Sequence, residues 1–155
     1  MHAAAAPHQP HAARRHWMAV LARASAEELA ALLDRHAEVP RYTRLRGPEA
    51  GLVMVRGRTG GGGAPFNLGE MTVTRCTVRT ESGQVGHAYV SGRDARQAEL
   101  AAVFDAMLQD PLQAFAVQTN VIAPLAEAQK ARRTSIAAQA AATKVQFFAM
   151  RNMRA

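Results

Sequence analysis

Cysteine is almost absent from this chain, whose 155 residues include only Cys76. A single thiol excludes an internal disulfide, and with no second thiol the composition fits a reducing, cytoplasmic setting. It also excludes an iron–sulfur cluster held by this chain alone, because such a cluster requires three or four thiolates. The sequence shows no base that would activate Cys76, so we expect it to be a small buried side chain and not a nucleophile.

Long hydrophobic runs are also lacking. The chain has about 75 apolar residues, but 34 of them are alanine. No run approaches the ~20 apolar residues of a membrane-spanning helix, so the sequence predicts a soluble protein. The length suits one domain. Residues 1–12 show no apolar periodicity and are expected to form a mobile tail, followed by a single α+β domain over residues 13–155.

Negative charge is scarce in the middle of the chain. The formal net charge is +7, and 17 of the 19 cationic residues are arginine. Residues 41–79 hold seven of these arginines against two glutamates, so this segment carries +5 of the total charge. Such a concentration favours an anionic partner, whether a nucleotide, a phosphate, a nucleic acid or an acidic protein surface.

Capping and apolar spacing predict helices at both ends of the chain. Ser25 and Glu28 form a capping-box pattern where two short N-terminal helices meet. Asp94 and Gln97 form a second such pattern at the start of a helix with a clear apolar stripe. The alanine-rich segment 124–142 has high helix propensity and predicts a long C-terminal helix.

Between these helices, residues of about 42–91 predict a small antiparallel sheet of three or four strands. Residues 51–58 are a strand candidate, and residues 71–79 are a second one that is rich in β-branched side chains. Residues 84–91 follow a short glycine-containing turn, which is typical of a hairpin. The predicted fold class is therefore α+β, with this sheet flanked by N-terminal and C-terminal helices.

Four arginines are candidate contacts for an anion or for a partner. Arg58 precedes the glycine-rich loop 60–63, whose backbone amides could cradle phosphate although the Lys-Ser/Thr of a P-loop is missing. Arg93 stands at the start of a predicted helix, where the helix dipole attracts anions. Arg75 and Arg79 share one face of their predicted strand.

No residue is predicted to be catalytic, and no metal site is predicted. The four histidines before residue 17 resemble a metal cluster only in number, because neither cysteine nor carboxylate accompanies them. By strand alternation, His87 shares a face with Val85 and Tyr89, which we expect to be the core side of the sheet. A buried or half-buried structural histidine is the better interpretation of His87.

Several short motifs occur along the chain in an order typical of one protein family. They are Arg14-Arg-His-Trp-Met18, Glu49-Ala-Gly-Leu-Val53, Arg58-Thr-Gly-Gly, Phe66-Asn-Leu-Gly-Glu-Met-Thr-Val-Thr-Arg75, Val78-Arg79, Gly86, Gly92-Arg-Asp94, Ile122-Ala-Pro-Leu125 and Lys144-Val-Gln-Phe-Phe-Ala-Met150. With these motifs, the chain from about residue 14 to 151 resembles the PhnG family of the bacterial carbon–phosphorus lyase system. The block from Asn67 to Arg75 is the most specific.

The resemblance implies a role in phosphonate catabolism. It implies a supporting, non-catalytic subunit that, with PhnH, PhnI and PhnL partners, helps to replace the adenine of ATP by methylphosphonate. The product is α-D-ribose 1-methylphosphonate 5-triphosphate, and a further partner, PhnJ, later cleaves the carbon–phosphorus bond. ATP would be the substrate of this multi-subunit transferase, no cofactor would be bound by this chain, and the isolated chain would be inactive. The resemblance identifies no catalytic residues in this subunit.

The residues alone leave two other functions open. The basic segment could belong to a nucleic-acid-binding module, but aromatics make up 5% of the chain and the spacing of zinc ligands is missing. A self-sufficient hydrolase would require a nucleophile paired with a base, which the sequence does not show. We therefore expect neither a membrane nor a nucleic acid among the partners.

Overall fold

The structure is a computed structural model that describes residues 11–58 and 63–144. Most of the predicted tail, most of the glycine-rich loop and the last 11 residues lie outside the described residues. Over the described residues the elements are α1 (Ala12–Leu21), α2 (Ala26–Asp34), β1 (Tyr42–Gly57), β2 (Phe66–Thr80), β3 (Val85–Ser91), α3 (Ala95–Met107), α4 (Ala114–Val117) and α5 (Ala123–Ala142). A π-helical turn, Gln118–Ile122, joins α4 to α5.

The predicted α+β class is confirmed. The three strands form one antiparallel sheet in the order β1-β2-β3. β1 is a single strand of 16 residues that begins at Tyr42, and β2 begins at Phe66, five residues before the predicted start. Because the pairing of β2 with β3 begins at Val73, the preceding part of β2 pairs with β1 alone and extends beyond the third strand.

α3 is the centre of the core. It packs against all three strands on one side and against α1, α2 and α4 on the other. The sequence predicts a single apolar stripe on this helix, but every residue from Ala101 to Leu108 is buried. Many of the buried side chains of α3 are alanine, which lets the neighbouring elements approach this helix closely. None of the described helices is long and apolar enough to cross a membrane.

The two predicted helix caps take different forms. The Ser25 hydroxyl accepts a hydrogen bond from the backbone N–H of Glu28, and the Glu28 carboxylate accepts one from the backbone N–H of Ser25, so the predicted capping box is confirmed. Asp94 caps the backbone of Gln97 at 2.9 Å. The Gln97 side chain does not close a box, because it donates instead to the carbonyls of Ala22 and Ala24. It thereby ties the start of α3 to the turn between α1 and α2.

A fully buried carboxylate connects three elements. Asp105 on α3 receives two hydrogen bonds from the Arg14 guanidinium, at 3.2 and 2.7 Å. It also accepts from the indole nitrogen of Trp17 and from the backbone N–H of His87, each at 2.8 Å. A buried charge is tolerated only when it is paired and hydrogen-bonded. Asp105 therefore fixes α1 and β3 against α3.

Gly86 is required where β3 approaches α3. A Cβ atom at this position would lie 1.9 Å from the carbonyl oxygen of Ala102 and 2.7 Å from the amide nitrogen of Ala106. Both atoms belong to the helix backbone, so no side-chain rotation can relieve the clash. The strand and the helix can meet at this distance only because residue 86 carries no side chain.

We expect Arg14→Ala to lower the free energy of unfolding by about 3 kcal/mol, because it leaves the enclosed Asp105 carboxylate without its counter-charge. Arg14→Lys should be intermediate in stability between Arg14→Ala and the parent chain, since lysine keeps the charge but cannot form the two parallel hydrogen bonds of arginine. Urea unfolding followed by the fluorescence of Trp17 measures the free energy of unfolding of each variant. The control is Arg96→Ala, an exposed arginine on α3 that should change stability by less than about 0.5 kcal/mol. Equal stabilities of the Arg14 and Arg96 variants would contradict the role given to Asp105.

Gly86→Ala should cost about 3 kcal/mol of stability, because the new methyl group forces β3 away from α3. Gly47→Ala is the matched control, since a Cβ atom there would meet no atom within 4 Å. Thermal unfolding by circular dichroism compares the two variants with the parent chain. A Gly86→Ala variant as stable as Gly47→Ala would show that the close approach is not needed.

Candidate functional site

The sheet has a covered face and an open face. Along β2, Thr74, Cys76 and Val78 are buried against α3, while the alternate residues project to the other side. We call that side the open sheet face. Its polar side chains are exposed or half-buried, and they include Arg46, Glu49, Arg75, Thr77, Arg79, His87 and Tyr89.

Glu49 lies between two arginines on the open sheet face. Arg75 donates from Nε to Glu49 at 2.6 Å, and Arg46 forms an ion pair with the same carboxylate oxygen. The hydrogen bond from Arg75 is the largest of the effects that hold the pKa of Glu49 below its usual value. The neighbouring Tyr89 and then Glu49 raise the pKa of Arg75. Two guanidiniums thus share one carboxylate, and the cluster keeps a net positive charge.

The four predicted contact arginines do not form one site. Arg75 and Arg79 lie on the open sheet face, four residues apart on β2. Arg58 is exposed just after the end of β1. Arg93 lies in a groove of about 440 Å³ beside Leu52 and Thr72, at the base of the part of the sheet that extends past β3. Their roles as contacts for an anion or a partner stay predictions.

Part of the basic segment is neutralised by a glutamate on α3. Arg44 forms two hydrogen bonds to Glu99 on α3, at 2.8 and 2.9 Å, and the hydroxyl of Tyr42 donates to the same carboxylate at 2.9 Å. Burial acts to raise the pKa of Glu99, but the hydrogen bonds from Arg44 and Tyr42 outweigh it and lower that pKa. No local pattern predicts this pairing, because Glu99 is more than 50 residues away from both partners in the chain.

The prediction that His87 faces the core was wrong. Gly86, Ala88 and Val90 are the buried residues of β3, whereas the side chains of His87 and Tyr89 are exposed. The close approach of α3 requires a glycine at position 86, and this places Gly86, Ala88 and Val90 on the core side and His87 on the other. The His87 ring contacts the hydroxyl of Thr77 at 3.1 Å on the open sheet face.

Cys76 is buried, as expected, and its surroundings do not activate it. Burial is the main cause that raises the pKa of its thiol. The sulfur lies 3.5 Å from the carbonyl oxygen of Arg46, to which the thiol donates. Within residues 11–58 and 63–144, no group of three or more histidine, cysteine or acidic side chains is arranged to hold a metal ion.

The sequence was compared with known proteins. Residues 12–152 match the model of a family described as phosphonate metabolism protein PhnG. The chain belongs to the PhnG family. A relative is the alpha-D-ribose 1-methylphosphonate 5-triphosphate synthase subunit PhnG from Rhizobium meliloti (strain 1021), which is 46% identical over 141 residues. The match covers 90% of this chain and 88% of that protein.

The PhnG-family motifs have distinct structural roles in this chain. The motif around Arg14 and Trp17 supplies the partners of Asp105, and Gly86 permits the contact of β3 with α3. The block from Phe66 to Arg75, in contrast, forms the outer half of β2 and ends at the Glu49 ion pair. Its side chains at positions 66–71 are exposed. The most specific family motif therefore lies mainly on the surface and contributes little to the core.

We expect the Glu99 cluster to make stability depend on acid pH. The folded state lowers the pKa of Glu99, so its contribution is present above the ordinary glutamate pKa of about 4.3 and is lost as pH falls through the lower, folded-state pKa. Glu99→Gln should therefore destabilise the chain by about 2 kcal/mol at pH 7 and by clearly less at pH 3. Unfolding at both pH values tests this, with the exposed Glu127→Gln as control. A destabilisation by Glu99→Gln that does not change with pH would contradict the expectation.

Proposed function

We propose that this chain is a subunit of a multi-subunit transferase that replaces the adenine of ATP by methylphosphonate, giving α-D-ribose 1-methylphosphonate 5-triphosphate. The observation that carries the proposal is the 46% identity with the synthase subunit of Rhizobium meliloti over 90% of this chain. Identity at this level along nearly the whole length supports the same fold and the same place in an assembly. In this proposal the partners are PhnH, PhnI and PhnL, and PhnJ acts later on the carbon–phosphorus bond.

The described side chains support a non-catalytic role for the subunit. Nucleophilic catalysis needs a nucleophile, a base and a group that orients the base. On the open sheet face, Thr77 and His87 form a hydroxyl–imidazole contact of 3.1 Å. Among the described residues, no carboxylate bonds to the other ring nitrogen of His87, so the third member of such a site is missing. In the proposal, ATP is the substrate of the whole complex, this chain holds no cofactor, and the complex works in the cytoplasm.

The open sheet face is the proposed contact with an acidic surface of a partner. Arg46 and Arg75 share a single carboxylate, and Arg79 forms no ion pair with any described residue. The face therefore presents a net positive charge on a rigid strand, where side chains need little reordering to bind. Complementary charges at a protein interface increase specificity and the rate of association. The alternative of nucleic-acid binding rests on charge alone, and the ion pairs of Arg44, Arg46 and Arg75 weaken it.

Co-expression with the neighbouring phosphonate subunits tests the proposal. The tagged parent chain should co-purify with them, and the complex should form the ribose methylphosphonate triphosphate from ATP and methylphosphonate. The double variant Arg75→Gln/Arg79→Gln should reduce recovery of the partners about tenfold, which corresponds to roughly 1.4 kcal/mol of binding free energy.

The control is Arg96→Gln, which removes an exposed arginine from α3 and should leave recovery unchanged. A parent chain that recovers no partner would overturn the proposed function. Unchanged recovery with the double variant would overturn the role of the open sheet face. Salt-dependent binding of the isolated chain to random-sequence DNA would favour the nucleic-acid alternative instead.

A further inference from the structure

The two longest strands extend together beyond the body of the protein. We call residues 51–57 and 66–72 the β1–β2 arm. The third strand ends at Ser91, which pairs with Val73, so the arm has only two strands. With seven residues in each strand it is about 23 Å long. A two-stranded ribbon without further packing is marginally stable in water at best.

The β1–β2 arm carries half of the exposed large apolar side chains in the described part of the chain. The body contributes six of these twelve residues, spread over the surface, and the arm contributes the other six. Those of the arm, with their exposed fractions, are Leu52 (64%), Met54 (52%), Val55 (37%), Phe66 (47%), Leu68 (51%) and Met71 (43%). Clustered apolar exposure of this kind marks an interaction surface.

Apolar side chains project from both faces of the arm. Leu52-Val-Met-Val55 is a continuous apolar run, which is typical of a strand that is buried on both sides. Leu52 and Met54 lie on the face that α3 covers elsewhere in the sheet, whereas Val55 and Met71 lie on the opposite face. Apart from Arg93, which lines a groove with Leu52 and Thr72 at the base of the arm, the described residues leave large apolar side chains exposed on both faces. The sequence of the arm is thus typical of a ribbon that is buried on both faces, and residues 11–58 and 63–144 provide no such burial.

We propose that the β1–β2 arm inserts into an apolar groove of a different subunit of the assembly, which covers both faces of the arm. This inference rests on the proposed function, because it takes the partner from the same complex. A second copy of the chain fits less well. Two copies related by a two-fold axis would bring the same face of each arm together, and the other face would stay exposed. Arg56 and Arg58 at the outer end are exposed and without an ion pair among the described residues, so the groove should be acidic at its deep end.

Substitutions on separate faces of the arm test the two-sided cover. The variants are Leu52→Thr/Met54→Thr for one face and Val55→Thr/Met71→Thr for the other, and threonine keeps the strand propensity. Each should reduce the recovery of co-expressed partner subunits at least tenfold. Circular dichroism should show an unchanged fold, because the replaced side chains are already in water. The matched control is Val39→Thr/Leu45→Thr, whose residues are 45% and 49% exposed but lie outside the arm.

The outcomes separate this inference from the proposed function. If the parent chain recovers no partner, the proposed function itself fails. If the parent chain recovers partners and both arm variants do so equally well, the arm is not the docking element. Loss of recovery with only one of the two arm variants would show a one-sided contact and would overturn the two-sided groove. Equal loss of recovery with the control variant would also overturn it. Light scattering of the full chain alone adds an independent check: a dimer that the arm variants dissociate would identify the occupant as a second copy.

Discussion

The enclosed carboxylate of Asp105 constrains the arrangement of everything around it. Removing a carboxylate from water is costly, and here the cost is offset by the Arg14 guanidinium, the Trp17 indole and a backbone amide of β3. Because these groups come from α1 and β3, the charge is satisfied only when both elements are docked on α3. The hydrogen bonds of Asp105 therefore require the helical layer and one edge of the sheet to form together. It also places all this packing on a single side of the sheet.

That one-sided packing explains how the positive charge is distributed. On the covered side, Arg44 reaches across to Glu99 and serves the fold. On the open side, Arg46 and Arg75 share Glu49, and Arg79 remains exposed. The exposed ion pairs contribute little to stability, because water screens them. Their effect is to hold the guanidiniums in place on a flat, accessible surface. The charge of this segment is therefore divided between arginines paired with α3 and arginines on an accessible surface, and the sequence alone could not separate the two groups.

Local patterns predicted local structure well. The capping box at Ser25, the cap at Asp94, the long C-terminal helix and the alternating faces of β2 all depend on residues within a few positions of each other, and all were confirmed. The features that the sequence did not reveal join distant segments. Asp105 meets Arg14 across 91 positions, and His87 faces outward because a helix from elsewhere in the chain leaves room only for Gly86, Ala88 and Val90. Such pairings are decided by the tertiary packing, and no short-range periodicity encodes them.

The same distinction applies to the surface. A strand with an uninterrupted apolar run normally lies in the middle of a sheet with helices on both sides. In this chain the run from Leu52 to Val55 lies outside the only core that the described residues form. Exposing it has no benefit for an isolated protein, because it increases the tendency to aggregate through an unprotected strand edge. The run is understandable if folding of the chain is completed in an assembly. The core formed around α3 would then be one of two, and the second would be built jointly by the β1–β2 arm and the subunit that receives it.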